Sequence, residues 1–173
     1  DITNAMQLEK ILTEEKPGTI FHAAAYKHVP LMERNPTEAV ICNVFGTRIL
    51  ADLAVKLGVK KFVMISTDKA VRPISVMGAT KRVAEMIVAA KAMSAHTTFA
   101  TVRFGNVLDS AGSVLPLWRE QIARGGPITL TDERCERYFM SIPEACGLVL
   151  GVLEMDKPGT FVLDMGEPRR LAD

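Results

Sequence analysis

Several things are missing from this sequence, and each absence narrows what the chain can be. No apolar run reaches the ~18 residues that cross a bilayer. The longest candidate, residues 145–155 (ACGLVLGVLEM), is shorter and is interrupted by glycines. Charge of one sign is missing too: 21 Lys and Arg against 20 Asp and Glu leave a formal net charge of +1. Scattered along the chain, these charges form no basic stripe for nucleic acid and no acidic tail. Cysteine is sparse and odd in number, with Cys42, Cys135 and Cys146 not closely paired, and the opening residues do not read as a secretory leader. Free thiols in a reducing compartment are therefore expected. His22, His28 and His96 do not fall at ligand spacing from those cysteines, so no metal site is expected. Repeats, low-complexity segments and linkers are absent as well.

What is present is a chain of 173 residues, 48% apolar, long enough for a compact domain with its own core. Residues 4–14 carry Met6, Leu8, Ile11 and Leu12 at helical spacing, stopped by Lys16-Pro17-Gly18. TIFHAA (19–24) reads as a short buried strand. Asn35-Pro36-Thr37-Glu38 is a helix start, with Asn at the N-cap, Pro at N1 and Glu at N3. Apolar positions from Val40 to Ala54 continue that helix, and Gly58 closes it. KKFVMIS (60–66) and TFATVRF (98–104) are strands that flank a helix running from Met77 to Ala92. A helix over 114–124 ends at Gly125-Gly126. Short strands are expected near ITL (128–130) and RYFMSI (137–142), a helix opening at Pro143, and a last strand at TFVLDM (160–165).

Continuous apolar strands alternating with helices predict a parallel, Rossmann-like sheet covered by helices on both faces. Ligands of such sheets bind beyond the carboxyl ends of the strands. HAAAYKH, STDKAV and RFGNVLDSAGS, which follow the strands, are therefore the segments to inspect. One more absence matters here. A dinucleotide site needs a glycine-rich turn after a first strand, and no G-x-G-x-x-G occurs. With no cap or tail at either end, the chain is expected to be an internal piece of a longer protein.

The stretch ISTDKAVRPISVMGATK (65–81) places Met77 four residues before Lys81. At that spacing a large class of nucleotide-dependent enzymes carries tyrosine and lysine. A phenol can lose its proton and act as a base; a thioether cannot. Either the chemistry has been given up or another residue in the stretch has taken it over.

HAAAYKHVPLMERNP, NVFGT, STDKAV, MGATKR, RFGNVLDSAGSVLP, RYFMSIPEA and VLDMGEP occur in this order. The series resembles the nucleotide-sugar 4,6-dehydratases of the extended short-chain dehydrogenase/reductase superfamily, and most of all the polysaccharide-biosynthesis branch acting on UDP-N-acetylglucosamine. The version with Met at the tyrosine position resembles long members of that branch that carry an N-terminal transmembrane region. The resemblance covers essentially the whole chain and implies that residue 1 falls near the third strand of the nucleotide-binding sheet. It also implies a partial nucleotide-binding core over 1–105 with the catalytic motif, and a nucleotide-sugar-binding region over 106–173 interleaved with the last core strands. NAD or NADP is the implied cofactor, a UDP-sugar the substrate and a homo-oligomer the assembly. The implied location is the cytoplasm, or the cytoplasmic domain of an inner-membrane protein. These 173 residues alone are expected to be inactive, because the glycine turn lies outside them.

The family's reaction is an internal redox cycle. Hydride leaves C4 of the sugar for NAD(P)+, water is lost across C5 and C6, and the hydride returns to C6 to give a 4-keto-6-deoxy sugar. The elimination needs a base at C5 and an acid at the C6 hydroxyl. Related dTDP-glucose dehydratases read Thr-Asp-Glu where this chain reads Thr67-Asp68-Lys69. The resemblance thus makes Asp68 the acid and Lys69 the candidate base. A lysine serves as a base only where burial or a nearby cation favours its neutral form, and Lys81 is the candidate cation. Lys81 is also implied as the holder of the nicotinamide ribose, with Ala23, Ala24 and Ser66 as further cofactor contacts. Met77 is expected to fill the tyrosine's space without transferring a proton. Removal of the C4 hydroxyl proton then falls to Thr67 with a relay, to Asp68 or Lys69, or to water. Lys27, His28, Asn106, Ser113 and Arg137 are implied substrate contacts, the last three near the nucleotide and its diphosphate.

Plainer readings stand beside these. Asp68–Lys69 could be a surface pair, Lys81 a solvated helix lysine, Met77 core packing, His28 a hydrogen-bonded structural residue and Ser113 a helix cap. Glu33 and Asn43 read as caps or helix-to-loop ties, Arg103 as an ion-pair partner, and Arg134 as a weaker diphosphate candidate than Arg137. At the level of function, a UDP-N-acetylglucosamine epimerase that dehydrates at one stage is the near alternative. A catalytically silent nucleotide-sugar-binding module is the distant one.

Overall fold

The computed structural model describes residues 1–93, 96–110, 113–130 and 132–172. The chain divides into two compact units, the first formed by Asp1–Arg103 with Val152–Val162 and the second by Phe104–Gly151 with Leu163–Asp173. In the first unit, helix α1 (Ala5–Glu15) is capped by Asn4, whose side chain accepts a bond from the Gln7 amide. It ends with Lys16 in the left-handed region (φ 45°). Strand β1 (Thr19–His22) follows, then two short helices, α2 (Val29–Arg34) and α3 (Pro36–Ala39). A π-helical turn (Val40–Gly46) runs into α4 (Thr47–Lys56). Next come β2 (Lys61–Thr67), a 3₁₀ turn (Asp68–Ala70), α5 (Val76–Ala92) and β3 (Thr98–Phe104). The second unit holds β4 (Asn106–Val107), α6 (Val114–Ala123), β5 (Glu136–Arg137) and β6 (Phe139–Met140). Helix α7 (Ile142–Glu154) leads back to β7 (Gly159–Val162) in the first unit, and β8 (Arg169–Arg170) ends the second.

The main sheet has the order β1-β2-β3-β7. Strands β1 and β2 pair in parallel with Thr19 opposite Lys61, as do β3 and β7 with Ala100 opposite Gly159. The core of the first unit lies where α1, α4 and α5 meet this sheet. Leu12, Leu50, Phe62, Met64, Val88 and Phe99 are buried there, and the Phe62 and Phe99 rings sit 5.1 Å apart. Each such side chain contributes roughly 1.5–3 kcal/mol by leaving water.

This is the parallel, Rossmann-like α/β architecture expected from the strand–helix alternation, with local departures. β1 stops at His22 rather than at residue 24. The helix expected from Asn35 onward is broken into α3, a π-helical turn and α4. Asn35 does occupy the N-cap, but its amide donates back to the Leu31 carbonyl at 2.9 Å instead of capping forward. ITL is not a strand. The backbone of its central residue is met by α6 side chains: the Trp118 indole donates to the Thr129 carbonyl (2.7 Å), and the Thr129 amide donates to Gln121 Oε1 (2.9 Å). With those two groups met by side chains, Thr129 needs no strand partner.

Candidate active site

β2 delivers the central residues. At its carboxyl end the Thr67 hydroxyl donates to Asp68 Oδ1 (2.8 Å) and accepts from the Lys69 amide (3.3 Å), which starts the 3₁₀ turn. The Lys69 ammonium donates to the same Asp68 oxygen at 3.0 Å. Both side chains stay within reach of solvent, Asp68 at 28% exposure and Lys69 at 34%. An acid and an amine thus stand side by side at the ligand-binding edge of a parallel sheet.

Helix α5 backs this turn. Ser75 caps it by accepting from the Gly78 amide (3.1 Å), and Glu33 of α2 accepts from the Val76 amide (2.7 Å). At Gly78 the helix touches the turn so closely that a Cβ would lie 2.3 Å from the Lys69 carbonyl oxygen. Only glycine fits. One residue earlier, Met77 is buried in a small cluster with Met32 and Ala39, so its thioether is packing. One turn later, Lys81 is 6% exposed and its ammonium donates to the Ile65 carbonyl of β2 at 2.7 Å. Burial pushes its pKa down to about 8, against the opposing influence of Glu85 and Cys42.

The loop after β1 is tied to the same helix. The Asn43 side chain, on the π-helical turn, accepts from the Tyr26 amide (2.8 Å) and donates to the Tyr26 carbonyl (3.0 Å) and to the Thr80 hydroxyl (3.0 Å). The Thr80 hydroxyl in turn donates to the Met77 carbonyl. Buried His22 is held beneath. The Thr47 hydroxyl donates to the Asn43 carbonyl (2.7 Å), so it receives the His22 Nε2 proton (2.8 Å). The other ring nitrogen then carries a buried lone pair, without a partner among the described residues. Burial first, and the charge of Lys81 second, push this imidazole down to about 4.

Comparison with known proteins decides what this arrangement belongs to. A family model described as polysaccharide biosynthesis protein matches residues 1–173. The chain belongs to the polysaccharide biosynthesis protein family. Its place is among the extended short-chain dehydrogenases/reductases. The capsular polysaccharide biosynthesis protein CapD of Staphylococcus aureus is 51% identical over the whole chain, which spans 29% of that relative. A UDP-glucose 4-epimerase of Rickettsia canadensis is 41% identical over 88% of the chain and 46% of its own length. Among solved structures, Pen from Bacillus thuringiensis superposes with a TM-score of 0.94 at 39% identity, over 99% of this chain and 55% of that one. NAD complexes of an epimerase and a dTDP-glucose dehydratase, 20% and 22% identical, share the fold alone.

In this family member, Thr67, Asp68, Lys69, Met77 and Lys81 gather around the junction of β2 and α5. Ala23 and Ala24 lie exposed just past β1, and so do Lys27 and His28. His28 stands at the N-cap position of α2 without a side-chain cap bond. Ser66 is buried, its hydroxyl donating to Glu85 Oε1 at 2.6 Å. The second unit, by itself, holds the other residues named from the sequence. The Asn106 amide donates to the Tyr138 carbonyl (3.0 Å). Ser113 occupies the N-cap position of α6 with its hydroxyl unbonded among the described residues. Arg137 pairs across the ribbon with Arg169, and its guanidinium donates to the Glu136 carbonyl. Exposed Arg134 is taken up by Asp132. A cavity of about 590 Å³ in this unit is lined by Phe139, Met140, Glu144, Leu148, Asp164 and Met165, none of them named from the sequence. Among the described residues no three His, Cys, Asp or Glu side chains gather as a metal site, and no helix is long and apolar enough to cross a membrane.

Two contributors escaped the sequence reading. Gly78 entered only as a letter of MGATKR, although its position next to Met77 was a cue to close approach. Glu85 was passed over, although its spacing of four from Lys81 puts both on one helix face.

Proposed function

We propose that this chain carries the reaction centre of a UDP-N-acetylhexosamine 4,6-dehydratase, which forms a 4-keto-6-deoxy sugar nucleotide for polysaccharide biosynthesis. The observation that carries the reading is the half-exposed Asp68–Lys69 pair at the carboxyl end of β2, backed by a buried lysine on α5. Elimination across C5 and C6 asks for an acid and a base on neighbouring carbons, and adjacent side chains on one turn can meet that demand. In the resting pair the proton sits on Lys69. It passes to Asp68 as the pair opens, so that the neutral Lys69 amine removes the C5 proton while the Asp68 carboxylic acid protonates the departing C6 hydroxyl. For that, the Asp68–Lys69 bond must open when the sugar arrives, and the Thr67 hydroxyl already holds Asp68 independently of Lys69.

A nicotinamide dinucleotide fits the same edge. The Lys81 ammonium is a buried donor beside β2, and exposed Ala23 and Ala24 leave the backbone after β1 approachable. Lys81 would hold the nicotinamide ribose hydroxyls, and Ala23, Ala24 and Ser66 would line its approach. Bound there, the cofactor supplies reversible hydride acceptance at C4. Met77 has no proton to give or take, so the C4 hydroxyl is left to Thr67, Asp68 or water. Lys27 and His28 are proposed sugar contacts. On the second unit, taken by itself, Asn106, Ser113 and Arg137 are the proposed nucleotide and diphosphate contacts. Exposed Val40, Ile41 and Phe45 on the π-helical turn, with Val83 and Met86 on the adjoining α5, make a second copy of the chain the proposed partner.

The test is incubation of the full-length protein with UDP-N-acetylglucosamine in deuterated water, followed by proton NMR. A 4-keto-6-deoxy product with deuterium at C5 is expected. The 41% identical epimerase favours a second reading, in which the sugar is inverted and keeps its C6 hydroxyl. That product, or a sugar bound and returned unchanged, overturns the dehydratase.

A further inference from the structure

Lys81 and Glu85 leave the same face of α5 and reach consecutive residues of β2. Lys81 donates to the Ile65 carbonyl, and Glu85 accepts from the Ser66 hydroxyl (2.6 Å). Immediately beyond these two β2 residues lies Thr67-Asp68-Lys69. Glu85 is 3% exposed, where a carboxylate survives only if it is paired and hydrogen-bonded. Three further bonds meet that need: Arg103 of β3 donates through Nε (2.8 Å) and through Nη2, and Arg82 through Nη1 (3.1 Å). These bonds hold the Glu85 carboxyl below its ordinary value although burial alone would raise it.

We propose that Glu85 is a positioning residue of the site: clamped by Ser66 and Arg103, it fixes the end of β2 and supplies the buried counter-charge to Lys81. The elements packed on α5 bring other titratable or charged groups to its vicinity. They are Cys42 on the π-helical turn, Glu33 and Arg34 on α2, Glu38 on α3, Arg48, Asp52 and Lys56 on α4, Lys61 on β2 and the Asp68–Lys69 pair on the 3₁₀ turn, while His22 on β1 feels the Lys81 charge. Of these carboxylates, only Glu85 combines full burial with a place one turn from Lys81. The consequence is chemical. A charged Lys81 donates all its protons and leaves proton transfer to the exposed pair; a neutral one would compete for protons in the same site.

The consequence for catalysis rests on reading Lys81 as the ribose-binding residue; the clamp itself does not. Glu85→Gln removes the charge and nearly keeps the shape. In the full-length protein labelled with 13C at lysine Cε, the resonance lost in Lys81→Arg should titrate near pH 8. In Glu85→Gln its midpoint should fall by about one pH unit, and Glu85→Asp should restore most of the difference. A folded Glu85→Gln protein with an unmoved midpoint overturns the proposal. Should that variant fail to fold, Arg103→Gln keeps the carboxylate and removes the cation that offsets it. A raised Lys81 midpoint there supports the proposal, and the wild-type midpoint overturns it. Nicotinamide-nucleotide binding, measured in parallel, separates the two ideas. A lowered midpoint in a protein that binds no NAD or NADP keeps the clamp and sinks the cofactor reading. Nucleotide binding with an unmoved midpoint does the reverse.

Discussion

Two ion pairs lie near the end of β2, and their surroundings give them opposite roles. Glu85–Arg103 is buried, and every partner of the carboxylate is a neighbouring structural element: β2, β3 and its own helix. Asp68–Lys69 joins adjacent residues on a turn and faces solvent on about a third of each side chain. The first pair has no geometry to spare for a substrate. The second can open at little cost, because an exposed pair contributes little to stability. The contrast separates framework from chemistry within a few residues of sequence.

The most severe way to break this comparison is at the open pair. Lys69→Met, and separately Asp68→Asn, should lower turnover by roughly 10²–10⁴-fold while leaving the melting temperature near wild type. Loss of fold in either would move this pair into the framework. Glu85→Ala should act on stability first, with a loss of roughly 3–5 kcal/mol in urea unfolding because Arg103 is left without its partner. His22 sharpens the comparison from below. Its folded pKa of about 4 lies under the ordinary 6.5, so between those values the unfolded chain binds a proton that the folded chain refuses. Stability is therefore full above pH 6.5 and declines by about 3 kcal/mol as pH falls to 4. His22→Gln should flatten that slope in a series of melts. Gly78→Ala should cost roughly 1–3 kcal/mol and disturb turnover too, because the added methyl meets the Lys69 carbonyl. The smallest effect belongs to Lys10–Glu14, an exposed pair on α1, where Lys10→Ala should melt with wild type.

The main elements were legible in the sequence because they rest on local chemistry. Leu8, Ile11 and Leu12 recur at helical spacing in α1, and β2 is built on the apolar run Phe62-Val63-Met64-Ile65. The departures come from groups far apart in sequence. Nothing near Asn35 says that its amide turns back to Leu31, and nothing in ITL says that Trp118 and Gln121 will satisfy it. The π-helical turn is equally silent in the apolar pattern, yet it puts Asn43 against Tyr26 and Thr80. At the site, Thr67-Asp68-Lys69 and Lys81 stood out by motif. Glu85 and Gly78 acquire meaning only when α5 is laid against β2, since a single helix glutamate and a helix glycine are ordinary features by themselves.

The most direct test of the central claim follows C5 of the sugar in the Lys69→Met variant of the full-length protein. Wild type and variant are given UDP-N-acetylglucosamine in deuterated water, with the reduced nicotinamide read by absorbance and C5 by NMR. The account predicts that the variant still oxidises C4 and accumulates reduced cofactor, while its C5 keeps protium. Deuterium entering C5 at the wild-type rate in Lys69→Met would contradict it, and the proton-transferring group would have to be sought elsewhere in the site.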